Sequence, residues 1–390
     1  MTLDVGAVRS RFSALQKNLV LFDGPGGTQV PDSVIDAVSD YFRHANANTS
    51  GPYETSRKTE QLAWRSRETA GRFLNCAPDE VVFGPNMTTL NFALSRTIGR
   101  DFAPGDEIVV TDLDHDANVA PWLLVARDHD LVVRHVPIRD NGTLDVDALE
   151  ALLGDRTKVV AFTLASNALG AMPDATRIAD AAHAVGALAW ADGVHIAPHR
   201  PIARAELGLD VVLCSPYKFF GPHQGIAAIR RDLAESLPAD RVRPASEDPP
   251  GHRFETGTQS IEALAGTVAA IEYVESVGFD AIAAHETELA KRFLAGVNRI
   301  EGIDLYGLPG VEGRTPTFCF NVSDLAPREV ATELAAAGIQ VWDGDYYALA
   351  PMRALGLQER GAVRIGFLHY NTVEEVDRTV DALCKLGHSG

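Results

Sequence analysis

Residues 209–230, LDVVLCSPYKFFGPHQGIAAIR, decide how the rest of the chain is interpreted. An apolar run typical of a buried strand covers residues 209–214, and a second one covers residues 225–229. Lys218 lies in the turn between them, beside aromatic residues. A lysine removed from water has a lowered pKa and can act as an amine nucleophile, whereas a lysine that extends to solvent has no such chemistry. This window alone leaves both interpretations open.

Two earlier runs place further polar residues in register with Lys218. Residues 159–165 form a strand-like run before Asn167, and residues 187–191 form another before Asp192, with a helix-like stretch between them. Strand, helix and strand in this order build a parallel sheet through right-handed crossovers. Ligands bind beyond the carboxyl ends of such strands, so we expect these three side chains to face one crevice. An amide, a carboxylate and an amine in one crevice suit a heterocyclic cofactor.

Together with other motifs, this arrangement resembles the pyridoxal-phosphate enzymes of aminotransferase class V, in particular the cysteine-desulfurase-like branch. The matching pieces, in the family's order, are FGPNMTTLNFAL, DLDHDANVAPW, ASNALG, ADGVH, CSPYKFFGP, ETGT and VRIGFLHYNTVEEVD. They lie between Asp23 and Asp377, nearly the whole chain. The resemblance implies an α/β fold, fold type I of the pyridoxal-phosphate-dependent transferases.

The implied architecture is a large domain around a mostly parallel sheet and a smaller α+β domain. The large, cofactor-binding domain would span residues 19–255, and the small domain would combine residues 1–18 with residues 256–390. We predict one helix over residues 1–18 from its apolar spacing, and a helix from residue 60 to residue 74 after a long polar loop. We also predict a strand at residues 340–342 and a helix at residues 117–128.

The resemblance also implies roles for individual residues. Lys218 would be the catalytic residue and form the Schiff base with pyridoxal 5′-phosphate, and Asp192 would keep the pyridine nitrogen protonated. The other residues implied at the cofactor are Met87, Thr88, His115, Asn167, His195, Ser215, Tyr217 and Thr258. Those implied at the substrate are Gly27, Asn167, Tyr347 and Arg364. Thr258 matches a threonine that reaches the phosphate of the neighbouring subunit, which implies a homodimer with a shared active site.

From the residues alone, ordinary structural roles are open for several of these positions. Thr88 suits an N-cap as well as a phosphate site at a helix N-terminus, and Asp192 suits a turn at a strand end. Arg364 suits the surface of a strand as well as a substrate carboxylate. The carboxylates around His115 could also suggest a metal site, but no second group of ligands has the spacing of one. We therefore predict no metal.

The sequence departs from the resembling family in the loop before Arg364. Desulfurases carry a nucleophilic cysteine there, but the similar stretch, VWDGDYYALAPM, contains none, and Tyr347 stands at about that position. A tyrosine with a pKa near 10 is a poor sulfur acceptor, although it can orient a substrate or donate a proton. His195 also departs, because many relatives have glutamine at its position.

Composition limits the partners. The chain has 390 residues and a formal charge of −18, which makes nucleic acid or an anionic membrane an improbable partner. The four cysteines are scattered without a CxxC motif, as in a reducing compartment. No stretch is typical of a signal peptide or a membrane span. We expect a cytoplasmic protein.

The predicted function is C–S bond cleavage of a cysteine-like amino acid by β-elimination, as in a cysteine S-conjugate lyase. Cysteine desulfurase or selenocysteine lyase activity is the first alternative, and class V transamination or epimerisation of another amino acid is the second. A non-enzymatic scaffold is a third interpretation, which the presence of Lys218, Asp192 and Arg364 disfavours. The expected partner is a small amino-acid substrate.

Overall fold

The computed structural model describes residues 3–387. The strands are β1 Val20–Leu21, β2 Val81–Gly84, β3 Glu107–Thr111, β4 Val132–Val136, β5 Thr157–Thr163, β6 Leu188–Asp192, β7 Val211–Cys214, β8 Gly225–Ile229, β9 Ile303–Tyr306, β10 Thr317–Val322, β11 Ile339–Gln340, β12 Trp342–Gly344 and β13 Ala362–Gly366. The helices are α1 Val5–Arg9, α2 Asp32–His44, α3 Glu54–Leu74, α4 Met87–Gly99, α5 Ala120–His129, α6 Val146–Leu152, α7 Ala175–Ala184, α8 Arg231–Ser236, α9 Ile261–Val277, α10 Phe279–Val297, α11 Pro327–Ala336, α12 Leu349–Ala354 and α13 Val373–Gly387.

The largest sheet has seven strands in the order β2-β8-β7-β6-β5-β3-β4. Strand β8 runs antiparallel to both of its neighbours, and the remaining pairs from β7 to β4 are parallel. Val160 and Phe162 of β5 enter one core cluster, while Val159 and Ala161 enter another on the opposite face. Burial on both faces explains why these strands have continuous apolar sequences. The predicted α/β fold with a mostly parallel sheet is confirmed.

A second sheet, β12-β13-β10-β9, is antiparallel and lies in the C-terminal part of the chain. Its apolar face packs on α10 and α13 in a separate core cluster. Strand β1 pairs in parallel with β11, and Asp23 forms a bridge with Gly366. The segment before α2 is therefore held by strands from the C-terminal part of the chain. Along residues 3–387, no helix combines the length and the apolar composition that a bilayer span requires.

The division into domains at residue 255 stays a prediction. Helix α9, which the prediction assigns to the small domain, packs against α2 and α3. Helix α10, which comes after it beyond Gly278, packs against α13. The pair α9 and α10 thus connects the two parts of the molecule.

The single helix predicted over residues 1–18 is wrong. Helix α1 ends at Arg9, and a separate 3-10 turn covers Ser13–Gln16. Phe12 lies between them and is fully buried, with its ring edge-on to Tyr273 and Tyr370. Burial of this ring bends the chain away from a continuous helix. The predictions for residues 1–2 and 388–390 fall outside the described residues.

Other differences concern element ends. Helix α3 begins at Glu54 rather than at residue 60. The sequence did not predict its first turns because they are polar and lack an apolar stripe. An ion pair between Lys58 and Glu54, at 2.6 Å, supports the helix there. The predicted strand at 340–342 is divided between β11 and β12, which join different sheets. The predicted helix at 117–128 starts as a 3-10 turn, Asp116–Asn118, before α5. Strand β9 and helix α12 were not predicted.

Candidate active site

Lys218 lies in the 3-10 turn Pro216–Lys218 that comes after β7. Its Nζ donates a hydrogen bond to the backbone oxygen of Pro25. Burial lowers the pKa of Lys218 to about 7, and the positive charge of Arg364 lowers it further, against the opposite effect of nearby carboxylates. Near neutral pH much of this lysine is therefore a neutral amine, the form that acts as a nucleophile or base.

The glycine-rich loop of residues 23–28 packs against the turn that contains Lys218 and forms one wall of the pocket. The Thr28 amide donates to the Tyr217 carbonyl at 3.0 Å, and the Thr28 hydroxyl accepts from the Phe220 amide at 2.7 Å. A Cβ on Gly27 would lie 3.5 Å from the Tyr217 ring. These contacts fix the position of the loop relative to Lys218.

Asp192 ends β6, the strand between β5 and β7. Its Oδ1 accepts a hydrogen bond from the Val194 amide at 2.8 Å, and the residue is 4% exposed. Burial raises the pKa of Asp192 to about 6, although Lys218 lowers it. A buried carboxylate without an ion-pair partner is costly unless a cation or a protonated ligand atom balances it.

His195 lies in the connection that begins after Asp192 and is also buried. Its Nε2 lies 3.0 Å from the Thr317 hydroxyl oxygen on β10, so the two sheets meet at this ring. Burial, and then the charges of His199, Arg364 and Lys218, hold the pKa of His195 well below its usual value. The ring is therefore neutral near pH 7.

The N-terminus of α4 lies beside the lysine turn. Asn86 caps this helix by accepting from the Thr89 amide at 2.8 Å, and the Met87 amide donates to the Ser215 hydroxyl at 3.0 Å. Strand β8 approaches so closely that a Cβ on Gly225 would lie 2.4 Å from the carbonyl carbon of Asn86. Only glycine fits there, and the close approach holds the first turn of α4 against the end of the sheet.

Arg364 lies in β13 and is 4% exposed. Its guanidinium donates to the Asn167 carbonyl at 3.0 Å and stacks 4.5 Å from the centre of the Tyr346 ring. Burial lowers the pKa of Arg364 to about 10, which leaves the side chain protonated near neutral pH. Among the described residues, its Nε and the Oδ1 of Asn167 are buried without a hydrogen-bond partner. Such orphaned polar atoms are rare in native structures and suggest a missing ligand.

The loop from β12 to α12 forms the outer rim. Tyr347 is 70% exposed, and its ring centre lies 5.5 Å from that of His115. Its carbonyl accepts from the Asp116 amide at 2.8 Å. Burial, and then nearby positive charges, lower the pKa of His115 to about 4, so this ring too is neutral.

The structure brings nearly all predicted site residues to one pocket of about 570 Å³. Those that line it are Gly27, Met87, Thr88, His115, Asn167, Asp192, His195, Ser215, Tyr217, Lys218, Tyr347 and Arg364. Thr258 is exposed and does not line the pocket of its own chain.

Sequence reasoning did not assign several other lining residues. Asp23, Pro25, Trp342, Asp343 and Tyr346 also line the pocket. Their contacts depend on pairing between distant segments, which no local pattern of residues reveals. Asp343, for example, is held by Arg328 of α11 at 3.1 Å.

The carboxylates that could have suggested a metal site have protein partners. Asp114 accepts hydrogen bonds from Thr111 and, at 2.7 Å, from Asn118. Asp112 lies 3.0 Å from the His135 ring nitrogen. Over residues 3–387, no group of three or more histidine, cysteine or carboxylate side chains has an arrangement that could hold a metal ion.

Comparison with known proteins agrees with this geometry. The model of the aminotransferase class-V family matches residues 20–379. The chain is 34% identical over 99% of its length to a probable cysteine desulfurase 1 of Mycobacterium leprae, of which it covers 66%. It is 32% identical over 94% of its length to a probable cysteine desulfurase of Halalkalibacterium halodurans, of which it covers 93%. The apo structure of a cysteine desulfurase from Thermococcus onnurineus superposes with a TM-score of 0.94 at 27% identity, over 100% of this chain and 99% of that one.

The fold and the pocket define a class V pyridoxal-phosphate enzyme of the cysteine-desulfurase-like type. The chain belongs to the aminotransferase class-V family. It spans 66%, 59% and 64% of the lengths of the first three curated relatives that it matches.

Pyridoxal 5′-phosphate is the cofactor of this class, and the pocket fits it. The pocket offers an amine of lowered pKa, a buried carboxylate and the first turn of α4, from which Met87 and Thr88 line it. The orphaned amide oxygen of Asn167 adds a polar group that a ligand can satisfy.

Proposed function

We propose that this protein cleaves the C–S bond of a cysteine-like amino acid by β-elimination, with Lys218 as the base. The observation that carries this proposal is a pocket that contains a lysine of lowered pKa and a buried arginine but, among the described residues, no cysteine. A reaction at sulfur in such a pocket requires a leaving group rather than a thiol acceptor.

Several side chains would hold the cofactor. Lys218 would bind its aldehyde carbon, Asp192 its ring nitrogen, and His115 would pack on its ring. The residues proposed at the phosphate are Met87, Thr88, Ser215, Tyr217 and, from the partner subunit of a homodimer, Thr258. Those proposed at the ring oxygen are Asn167 and His195. Bound pyridoxal phosphate supplies the electron sink that makes the Cα proton of an amino acid acidic.

The remaining residues act on the substrate. Arg364 would hold the α-carboxylate by a bidentate pair, which would also satisfy its orphaned Nε. The substrate amine would first displace Lys218 from the aldehyde carbon, and the freed lysine amine would then remove the Cα proton. The Cβ–S bond would break with its electron pair going to sulfur. Tyr347 at the rim would donate a proton to the departing thiolate. Hydrolysis of the remaining carbon skeleton would give pyruvate and ammonia.

The four cysteines are poorly suited to carry a persulfide. Cys214 and Cys319 lie fully buried in β7 and β10. Burial raises the pKa of Cys319 to about 12, and it also raises the pKa of Cys76 to about 12. A thiol with so high a pKa is almost wholly protonated at neutral pH and is a weak nucleophile. Cys384 lies in α13, which packs on α10 rather than at the pocket.

Cysteine desulfuration is a second candidate, because the relatives at 32–34% identity are named cysteine desulfurases. That reaction leaves alanine and needs a thiol that accepts sulfur. Selenocysteine cleavage, transamination and epimerisation share the same lysine chemistry.

A product screen separates these candidates. The cofactor-loaded protein is incubated with L-cysteine, L-selenocysteine and S-substituted L-cysteines, and thiol, sulfide, pyruvate and alanine are measured separately. Equal amounts of pyruvate and thiol support β-elimination, whereas alanine with sulfide supports desulfuration. A variant with all four cysteines replaced by serine should retain the activity. Loss of sulfur release in that folded variant, restored by one returned cysteine, would overturn the proposal.

A further inference from the structure

The ring of His195 contacts two buried hydroxyl groups, those of Thr317 in β10 and of Thr315 just before it. Its Nε2 lies 3.0 Å from Thr317 Oγ1 and 3.3 Å from Thr315 Oγ1. Both threonines are fully buried, and His195 is 5% exposed and lines the pocket. The ring is therefore anchored through one nitrogen, which leaves Nδ1 as the nitrogen available to a ligand.

The positions of the two threonines are fixed by the backbone around them. The Thr315 amide donates to the Gly170 carbonyl at 2.9 Å, and residues 171 and 314 form an isolated bridge. Gly170 has φ +74, and a Cβ there would lie 2.8 Å from the carbonyl oxygens of Thr315 and Thr317. This close approach requires glycine and holds the threonines against the loop after β5.

A count of protons decides how the three groups are bonded. A neutral imidazole has one N–H and one acceptor nitrogen, and each hydroxyl has one proton. The Thr315 hydroxyl already has an acceptor, the Gly170 carbonyl, at 3.3 Å. Among residues 3–387, the Thr317 hydroxyl has His195 Nε2 as its hydrogen-bond partner and no carbonyl or carboxylate acceptor.

Only one ring form satisfies both buried hydroxyl protons. If Nε2 carried the proton, it would donate to Thr317, and the Thr317 hydroxyl proton would be buried without an acceptor, which is unfavourable. If Nδ1 carries the proton, Thr317 donates to Nε2 and Thr315 donates to Gly170. Both hydroxyl protons are then satisfied, and the N–H of the ring points away from the threonines.

We propose that Thr317 is a positioning residue that fixes His195 in its Nδ1–H form, so that the ring presents a hydrogen-bond donor to an acceptor oxygen of the bound cofactor. The ring N–H would donate a hydrogen bond, as the side-chain amide N–H of a glutamine does. Thr317 belongs to β10 of the C-terminal sheet, whereas His195 lies after β6 of the large sheet. A residue of one sheet would thus fix the proton position on a ring that comes from the other.

The test compares Thr317→Val, which keeps the shape but removes the hydroxyl, with Thr317→Ser, which keeps it. Thr379→Val is the matched control, because Thr379 is also fully buried but donates to the Glu375 carbonyl in α13. Nitrogen-15 spectra of histidine-labelled holoenzyme report which nitrogen of His195 carries the proton, with His195→Gln identifying the signal. The affinity for pyridoxal 5′-phosphate and the absorption of the bound cofactor are measured on the same samples.

We expect the wild-type protein, Thr317→Ser and Thr379→Val to show the Nδ1–H form. Thr317→Val should show the Nε2–H form or a mixture, a shifted cofactor absorption and about a 10-fold weaker cofactor affinity, the size typical of lost outer contacts. An Nε2–H ring in the wild-type holoenzyme would overturn the proposal. So would a Thr317→Val variant that folds and keeps the wild-type ring signals and absorption. Neither readout depends on which substrate is cleaved, so failure here is distinct from failure of the proposed reaction.

Discussion

Lys218 is the residue on which the proposed chemistry depends most. We predict that Lys218→Ala lowers turnover by at least about 10²- to 10⁴-fold, the contribution usual for a positioned acid or base, and removes the visible absorption of the lysine-bound cofactor. Lys158→Ala is the control, since Lys158 is partly exposed near the start of β5, away from the pocket, with its Nζ 3.6 Å from Asp106. Steady-state assays and absorption spectra of both variants check this. Wild-type turnover in the Lys218→Ala protein would remove the lysine from the mechanism.

The lowered pKa of Lys218 also predicts an effect on stability. Its folded pKa is about 7 against an ordinary value of 10.5, so burial destabilises the charged form. Below pH 7 both the folded and the unfolded chain bind this proton, and the folded state bears the full cost. Between pH 7 and 10.5 the unfolded chain binds more protons than the folded chain, so the free energy of unfolding rises with pH and the destabilisation caused by Lys218 declines.

Lys218→Met should therefore stabilise the cofactor-free protein. Each pKa unit corresponds to about 1.4 kcal/mol, so the gain in unfolding free energy at pH 6 should be a few kcal/mol and should shrink towards pH 10. Urea unfolding at several pH values measures this gain. An equal gain at all pH values would show that packing, and not the proton, is its cause.

At the residue scale, the side chains at strand ends could be predicted from the sequence. Asn167, Asp192 and Lys218 lie at or after the ends of three neighbouring parallel strands, and their meeting in one pocket needs only that register. The role of Thr317 could not be predicted in the same way. It reaches His195 from another sheet, and no spacing along the chain encodes that contact.

At the scale of elements, strands were easier to predict than helix ends. Strand β3, EIVVT, is apolar between its ends and buried throughout, because it lies inside the parallel part of the large sheet, so its extent can be derived from the residues alone. The polar first turns of α3 gave no such signal. The break after α1 depends on Phe12 packing against rings from distant segments, which only the folded chain brings together.

One buried ion pair joins α3 to the segment after α8. Arg67 donates to Glu255 at 2.7 Å, and the same carboxylate accepts from the Phe83 amide of β2 at 2.9 Å. Arg67 and Glu255 are almost fully buried. The pair fixes the start of the stretch that carries Thr258, because only two residues separate Glu255 from Thr258.

We predict that Glu255→Ala destabilises the protein by about 3–5 kcal/mol, since it leaves a buried arginine unpaired. The matched control is Glu272→Ala, which removes the exposed partner of Arg65 and should cost at most about 1 kcal/mol. Chemical unfolding of the three proteins gives both values. Similar losses in the two variants would mean that burial of the Arg67 pair has little energetic effect.

At the scale of the whole molecule, the order of the strands explains the position of the site. Strand β1 and Asp23 lie against the C-terminal sheet, and the loop after them covers Lys218 on the large sheet. Arg364 reaches the same pocket from β13. The pocket therefore requires both sheets. The sequence could indicate which residues line the pocket, but not that the two sheets come together around it.

Thr258 is the predicted site residue that one chain does not bring to its pocket, and we predict that it serves the pocket of a partner chain. Thr258→Asp would then place a negative charge near the partner's cofactor phosphate and weaken cofactor binding. Ser236→Asp, on the exposed end of α8, is the control and should bind the cofactor normally. Mixed, refolded Lys218→Ala and Thr258→Asp chains should form dimers in which one of two sites is intact. With random pairing in a two-fold dimer, activity should reach about a quarter of the wild-type value, well above that of either variant alone. A mixture no more active than its components, or a monomer that binds the cofactor fully, would show that each chain builds its site alone.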